Sequence, residues 1–280
     1  MLAETMPKTF EELIRISGLS HGTDVWFNNT QDLIKSNITS LKEAICTRDD
    51  IMTYLIRKGL PAGDSFEIME NVRKADKGLT DEQEAIMKEK EVPDWYIDSC
   101  KKIKYMFPKA HAIAYVMMAV RIAWFKVHMP KAYYTAFFSI RASEFDSDVM
   151  INGKDKVINK MKDIEMQGNA ASKKDKNMYG VLEIVLEMYE RGIEFLPIDL
   201  YKSHSSKFLM EEEGIRPPLN SIPGLGTVAA QGIERAKGDG QFMSIEDLMI
   251  RAKIGKAVLE MLRNAGCLEG MSASNQMSLF

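Results

Sequence analysis

The chain is poor in the residues that build metal centres and disulfide frameworks. Of its 280 residues only three are cysteine and four are histidine. Cys46, Cys100 and Cys267 lie far apart, which fits free thiols in a reducing compartment and not a secreted disulfide scaffold. The histidines are equally scattered, and no spacing reads as a zinc site. No stretch resembles a signal peptide. The most apolar run, Ala112 to Val120, stops at Arg121 and is too short to span a bilayer. The expectation is a cytoplasmic protein with no membrane partner. Paired carboxylates are also scarce. The one Asp-x-Asp, Asp146-Ser147-Asp148, falls in a polar turn region without the β-branched flanks of a strand. It reads as a solvated loop, so no catalytic residue and no metal ligand is assigned.

Acidic residues are missing from one long stretch. Between Asp98 and Glu144 there are none, while Lys101, Lys102, Lys104, Lys109, Arg121, Lys126, Lys131 and Arg141 lie within it. The formal net charge of the chain is only -3, so this is local segregation. A solvated basic face is the bland explanation. The functional one is a polyanion site, because clustered cations attract phosphates by field and by counterion release. Tyr105 ends one predicted helix, and Lys109 and His111 lie in the first turn of the next. Free N–H groups at a helix start favour phosphate, and an aromatic ring beside them can stack on a base.

What is present suggests an ordinary folded chain of one to three domains, at 45% hydrophobic and 28% charged residues. Its 20 methionines read as core filler. Apolar periodicity predicts a helix from Leu41 to Leu60 with Ile45, Ile51, Leu55 and Ile56 inward. A charged, mobile-looking stretch, Val72 to Gly78, leads into a polar helix ending near Glu91. Pro93, Pro108 and Pro130 each open a helical segment, predicting helices over 93–107, 108–128 and 130–142. Residues 151–178 read as a lysine-rich connection with one more helix. Val181 to Arg191 reads as a helix and Glu194 to Asp199 as a short strand. The last ten residues read as an unfolded tail.

Leu219 to Ala230, centred on Pro223-Gly224-Leu225-Gly226-Thr227, has the form of a helix-hairpin-helix turn. Its glycines permit a close backbone approach, and the amides opening the next helix can hold a DNA phosphate without reading sequence. A degenerate copy lies at Lys253 to Val258, with Gly255 and Lys256 in the corresponding places. The tail carries Gln276, Leu279 and Phe280, the pattern of a short peptide that docks two apolar anchors on a sliding clamp.

Taken together, Lys101 to Ala112 with Ala119 to Ala123, Ile16 to Trp26, Cys46 to Met52, the Pro-Gly-Leu-Gly hairpin and the tail closely resemble PolC-type bacterial DNA polymerase III alpha subunits. The resemblance covers nearly the whole chain in the family's order. It implies a mainly α fold, helical polymerase fingers followed by a helix-hairpin-helix DNA-binding domain. The expected parts are the end of the palm connection and the fingers (1–150), a connecting helical region (151–215), the hairpin region (216–270) and a flexible clamp-binding tail (271–280).

By the same resemblance, Arg48 matches a fingers arginine on the incoming triphosphate, and Tyr105 and His111 match residues near the nascent base pair. Arg73, Lys74 and Lys109 are added as phosphate neighbours on charge. Gly224, Gly226, Thr227, Gly255 and Lys256 are the expected DNA contacts. The implied partners are primer-template DNA, dNTP, the beta sliding clamp and the N-terminal polymerase domains. Mg2+ is expected in the full polymerase, held by a palm outside this chain, with no cofactor bound here. The expectation is therefore a part of a replicative polymerase that is inactive alone. Two rivals are a clamp-tethered helix-hairpin-helix repair or accessory protein, and a helical interaction protein with no nucleic-acid role.

Overall fold

The computed structural model describes residues 1–74, 78–141 and 144–274. Among them the chain forms fifteen α-helices and one two-stranded antiparallel hairpin, a mainly α fold as the sequence suggests. Two compact units divide between Ala123 and Trp124, inside a long helix.

The first unit contains α1 (Leu2–Thr5), α2 (Phe10–His21), α3 (Gln31–Lys35), α4 (Arg48–Arg57), α5 (Ala62–Arg73), α6 (Asp81–Glu89), α7 (Asp94–Lys102) and the start of α8 (Lys109–His128). Helix starts are set by local chemistry. Reciprocal capping boxes open α2 at Thr9 and Glu12, and α6 at Thr80 and Gln83. At α4 the Asp50 carboxylate accepts from the Cys46 and Thr47 N–H groups at 3.1 and 2.8 Å, fixing the entry of the chain. Leu19, Val25, Ile45, Ile51, Leu55, Ile68, Tyr96 and Met106 form a continuous buried core.

The second unit holds the rest of α8, then α9 (Pro130–Ile140), α10 (Ser147–Met150), α11 (Lys154–Gln167) and α12 (Lys173–Glu190). The hairpin β1 (Leu209–Met210) and β2 (Ile215–Arg216) follows, then α13 (Thr227–Gly238), α14 (Ile245–Ala252) and α15 (Lys256–Asn264). It has two cores. One is aromatic, with Phe138, Phe145, Phe195 and Phe208 packed ring on ring. The other is aliphatic, with Leu219, Leu225, Ile233, Leu248 and Leu262 beneath the hairpin turns.

Several elements differ from the sequence reading. The helix expected from Leu41 begins only at Arg48, because Asp50 caps it there, and Ile56 is exposed. The helix from Pro93 stops at Lys102, where Ile103 turns extended. Residues 151–191 hold two long helices, since Ser172 caps α12 through the Asp175 N–H well before Val181. The strand expected at Glu194 to Asp199 reduces to a single bridge between Phe195 and Ile215. In the stretch called mobile, Val72 is buried and Arg73 ends α5. Residues 75–77 of that stretch lie outside the described residues. So do 275–280, whereas Ser272 and Ala273 accept from the N–H groups of Ile245 and Glu246. The apolar run at Ala112 belongs to a helix long and apolar enough, by length and composition, to cross a membrane. Arg121 interrupts the run without interrupting the helix.

Gly18 lets α2 lie directly against the Cys46–Thr47 turn. A Cβ there would stand 2.4 Å from the Cys46 carbonyl oxygen and 2.7 Å from Thr47 Cγ2. Gly18→Ala is therefore expected to destabilise the chain by about 1–3 kcal/mol through overpacking. Urea unfolding checks this, and an unchanged midpoint would refute the close approach.

Candidate functional site

Between α7 and α8 the chain runs extended, burying Ile103 and Met106 and leaving Tyr105 45% exposed. Three other segments are fastened to this stretch. Tyr105 bridges both Thr23 and Lys74 in antiparallel fashion. The Thr23 N–H donates to the Tyr105 carbonyl at 2.9 Å, and the Arg48 N–H donates to the Phe107 carbonyl at 3.3 Å. Gly22 is required for this closeness, since a Cβ on it would lie 3.0 Å from the Tyr105 oxygen and 2.4 Å from Val25 Cγ2. The backbone thus brings the starts of α4 and α8 and the end of α5 to one place.

On this frame Arg48, Arg73 and Lys74 converge on one carboxylate, Glu70. Arg73 grips it with both forks, Nε to Oε1 at 2.5 Å and Nη2 to Oε2 at 2.7 Å. Lys74 Nζ lies 3.3 Å away and Arg48 Nη1 3.9 Å away. The Arg73 guanidinium, with help from Lys74, holds the Glu70 carboxyl down at about 2. Tyr105 is joined to the same cluster through its backbone bridge to Lys74. Three cations against one anion leave the cluster positive.

Lys109 and His111 form a neighbouring group. The Lys109 N–H donates to Asp49 Oδ2 at 2.7 Å, and Lys109 Nζ lies 3.9 Å from Asp50 Oδ1. The start of α8 is therefore not wholly open to phosphate, because Asp49 already takes the Lys109 amide. His111 packs edge-on against Phe107 and Tyr115, while Phe107 stacks on His21 at 4.9 Å. The imidazole sits on an exposed aromatic surface.

The basic block is not one patch. Its cations find carboxylates outside the acid-free stretch: Lys101 with Glu84, Lys104 with Asp24, and Lys126 with Glu187, at 2.5, 2.6 and 2.6 Å. Lys131 donates to the carbonyls of Glu211 and Glu212. Much of the segregation is thus used for tying helices together. Glu70, Asp49 and Thr23 carry the site's geometry and were not singled out from sequence. The signal for Glu70 is its spacing, with Arg73 and Lys74 three and four residues on along one helix face.

In the second unit the two glycine turns are superposable in backbone logic. Gly224 and Lys253 both take positive φ, +85° and +54°. Each is followed by a buried apolar residue, Leu225 or Ile254, then by a glycine N-cap, Gly226 or Gly255, and an exposed first helical residue, Thr227 or Lys256. Beyond both N-cap glycines the space is open. Gly226 and Gly255 line one groove of about 650 Å3 between the two turns, with Gly232, Arg235, Arg251 and Lys253. Gly232 allows α13 to approach the α14 end, where a Cβ would meet the Ala252 carbonyl at 2.7 Å. The first hairpin differs from expectation in that a single 3-10 turn, Leu219–Ser221, takes the place of its leading helix.

Asp146 does not sit in a free loop. Its Oδ1 accepts from the Asp148 N–H at 3.0 Å and caps α10. Among the described residues no group of three or more His, Cys, Asp or Glu side chains is placed to hold a metal ion. Burial pushes the thiols of Cys46 and Cys100 up to about 12, which suits inert core residues. Gln276, Leu279 and Phe280 lie outside the described residues.

The charge cluster makes a direct prediction. Glu70 is expected to stay ionised down to about pH 3, well below an ordinary glutamate, and to move back toward its normal value in Arg73→Ala, with Lys74 still holding it partly down. Carboxyl-carbon NMR titration reads both. An ordinary Glu70 titration in the unmodified chain would contradict the geometry.

Comparison with known proteins places the chain. Residues 1–93 match the bacterial DNA polymerase III alpha subunit finger domain, and residues 192–277 match a helix-hairpin-helix motif. Over all 280 residues the chain is 57% identical to DNA polymerase III PolC-type of Clostridium perfringens, covering 19% of that protein. It is 56% identical over its whole length to the proteins of the same description from Caldanaerobacter subterraneus subsp. tengcongensis and Bacillus subtilis, covering 20% and 19% of them. The chain is thus similar, along its whole length, to PolC-type DNA polymerase III proteins, and it spans about one fifth of the length of these curated relatives.

Proposed function

We propose that this chain supplies nucleotide-gripping and duplex-gripping surfaces of a replicative DNA-directed DNA polymerase. The observation that carries the reading is the convergence of Arg48, Arg73 and Lys74 beside exposed Tyr105. Such a cluster suits a triphosphate, with the cations neutralising phosphate oxygens and the ring offering a face to base or sugar. Lys109 and His111 flank it as second-line contacts. Gly226, Thr227, Gly255 and Lys256 hold phosphates of primer-template DNA through the helix-start amides of the two turns, with Gly224 shaping the first turn. This grip is independent of base sequence.

The chain by itself is proposed to be catalytically inactive, with the Mg2+ of the reaction held by carboxylates other than its own. Supporting this, the described residues bring no group of three or more His, Cys, Asp or Glu side chains together. Gln276, Leu279 and Phe280 are proposed to dock on the beta sliding clamp, which would place the protein at the cytoplasmic replisome. The finger-domain match over 1–93 favours this reading over a clamp-tethered accessory protein.

A reciprocal experiment tests the two grips. Arg48→Ala is expected to weaken dNTP binding by about tenfold, the loss of one charge-assisted contact, and to leave duplex binding unchanged. Gly226→Ala with Gly255→Ala should do the reverse, because both positions have ordinary φ and open space, so the fold tolerates the methyl groups while a phosphate does not. Fluorescence anisotropy with labelled dNTP and labelled duplex measures both. Equal effects of each variant on both ligands would sink the assignment. Removing residues 276–280 is expected to abolish clamp capture in surface plasmon resonance without altering duplex affinity; clamp binding that survives the deletion would rule the tail out.

A further inference from the structure

Glu70 stands where an anionic ligand would stand. Arg73 holds it in the two-pronged geometry by which guanidinium groups hold phosphate. Helix periodicity and the negative end of α5 account for Arg73 and Lys74, which follow Glu70 on one face. Neither accounts for Arg48, which approaches from α4 and stops at 3.9 Å. A contact at that distance is loose, so Arg48 is only weakly committed to Glu70. Glu70 itself is 21% exposed in its side chain, so it can swing into solvent once released.

We propose that Glu70 is a built-in stand-in for phosphate: it occupies the Arg48, Arg73 and Lys74 cations in the empty chain, and a polyphosphate displaces it. The proposal rests on the reading of those three cations as phosphate ligands. Its consequence is a raised threshold. An incoming anion must break the Glu70 pairs before it gains its own, so the site fills only for ligands of high charge density or at high concentration. The carboxylate also holds the Arg73 side chain in one orientation, with its rigid planar fork facing the anion position, which spares the ligand part of that ordering cost. With Glu70 in place the cluster carries a surplus of two positive charges, three cations less one anion; without it, three.

Isothermal titration of the 280-residue chain with inorganic tripolyphosphate over a range of sodium chloride concentrations tests this. Glu70→Gln is expected to bind about tenfold more tightly at low salt, and its log-affinity should fall with log-salt more steeply by about one. Glu70→Asp, which keeps the charge, should stay within about threefold of the unmodified chain. Glu70→Ala carries the same expectation as Gln with a residue of high helix propensity, which secures the result if Gln loosens α5. Weaker or unchanged binding by both neutral variants overturns the proposal and leaves Glu70 a plain helix ion pair. Arg48→Ala separates the two failures. If it loses tripolyphosphate binding while the Glu70 variants show no gain, the stand-in idea alone fails. If Arg48→Ala changes nothing, the phosphate reading fails with it.

Discussion

The extended stretch from Ile103 to Pro108 is the constraint on which the first unit's site depends. Its backbone is held by Thr23 on one side and Lys74 on the other, with the Arg48 N–H on the Phe107 carbonyl. Each of these bonds is ordinary in strength. Their joint effect is positional, because every residue of the cluster is attached to an element anchored there: Arg48 opens α4, Arg73 and Lys74 close α5, and Lys109 opens α8. Gly18 and Gly22 serve the same end by removing side-chain volume where α2 and its following turn meet the Cys46–Thr47 turn and the Tyr105 carbonyl.

Charge is spent in two ways in this chain. Several cations of the acid-free stretch are tied to carboxylates on other helices and act as fasteners, as with Lys126 and Glu187 or Lys101 and Glu84. A smaller set is left in excess around Glu70. The hairpin region follows another principle, relying on helix-start amides and glycine-cleared space more than on side-chain charge. On the proposed function, the chain would meet phosphate in two chemically different ways, one through side-chain cations and one through backbone.

The helical character, the proline-led helices and both glycine turns were legible in the sequence, because proline and glycine act through local backbone geometry that needs no tertiary context. The second turn is instructive. Lys253 takes the positive φ that Gly224 takes in the first, and the shared spacing to Gly255 reveals the repeat despite that difference. What the sequence concealed were partners distant along the chain. Nothing local tells that Asp49 receives the Lys109 amide, or that Asp50 delays the start of α4 until Arg48. The acid-free stretch was misleading for the same reason, since its counter-charges lie at Asp24, Glu84 and Glu187. Glu70 lies inside an unremarkable helical segment, and only folding brings Arg48 to it.

On the proposed function, two separate surfaces meet two separate phosphate ligands. Backbone amide NMR of the whole chain, titrated first with tripolyphosphate and then with an unlabelled primer-template duplex, tests it most directly. Shifts are expected at Arg48, Arg73, Lys74 and Tyr105 in the first titration, and at Gly226, Thr227, Gly255 and Lys256 in the second. Tripolyphosphate shifts centred on the hairpin glycines, with Arg48 and Tyr105 unmoved, would contradict it.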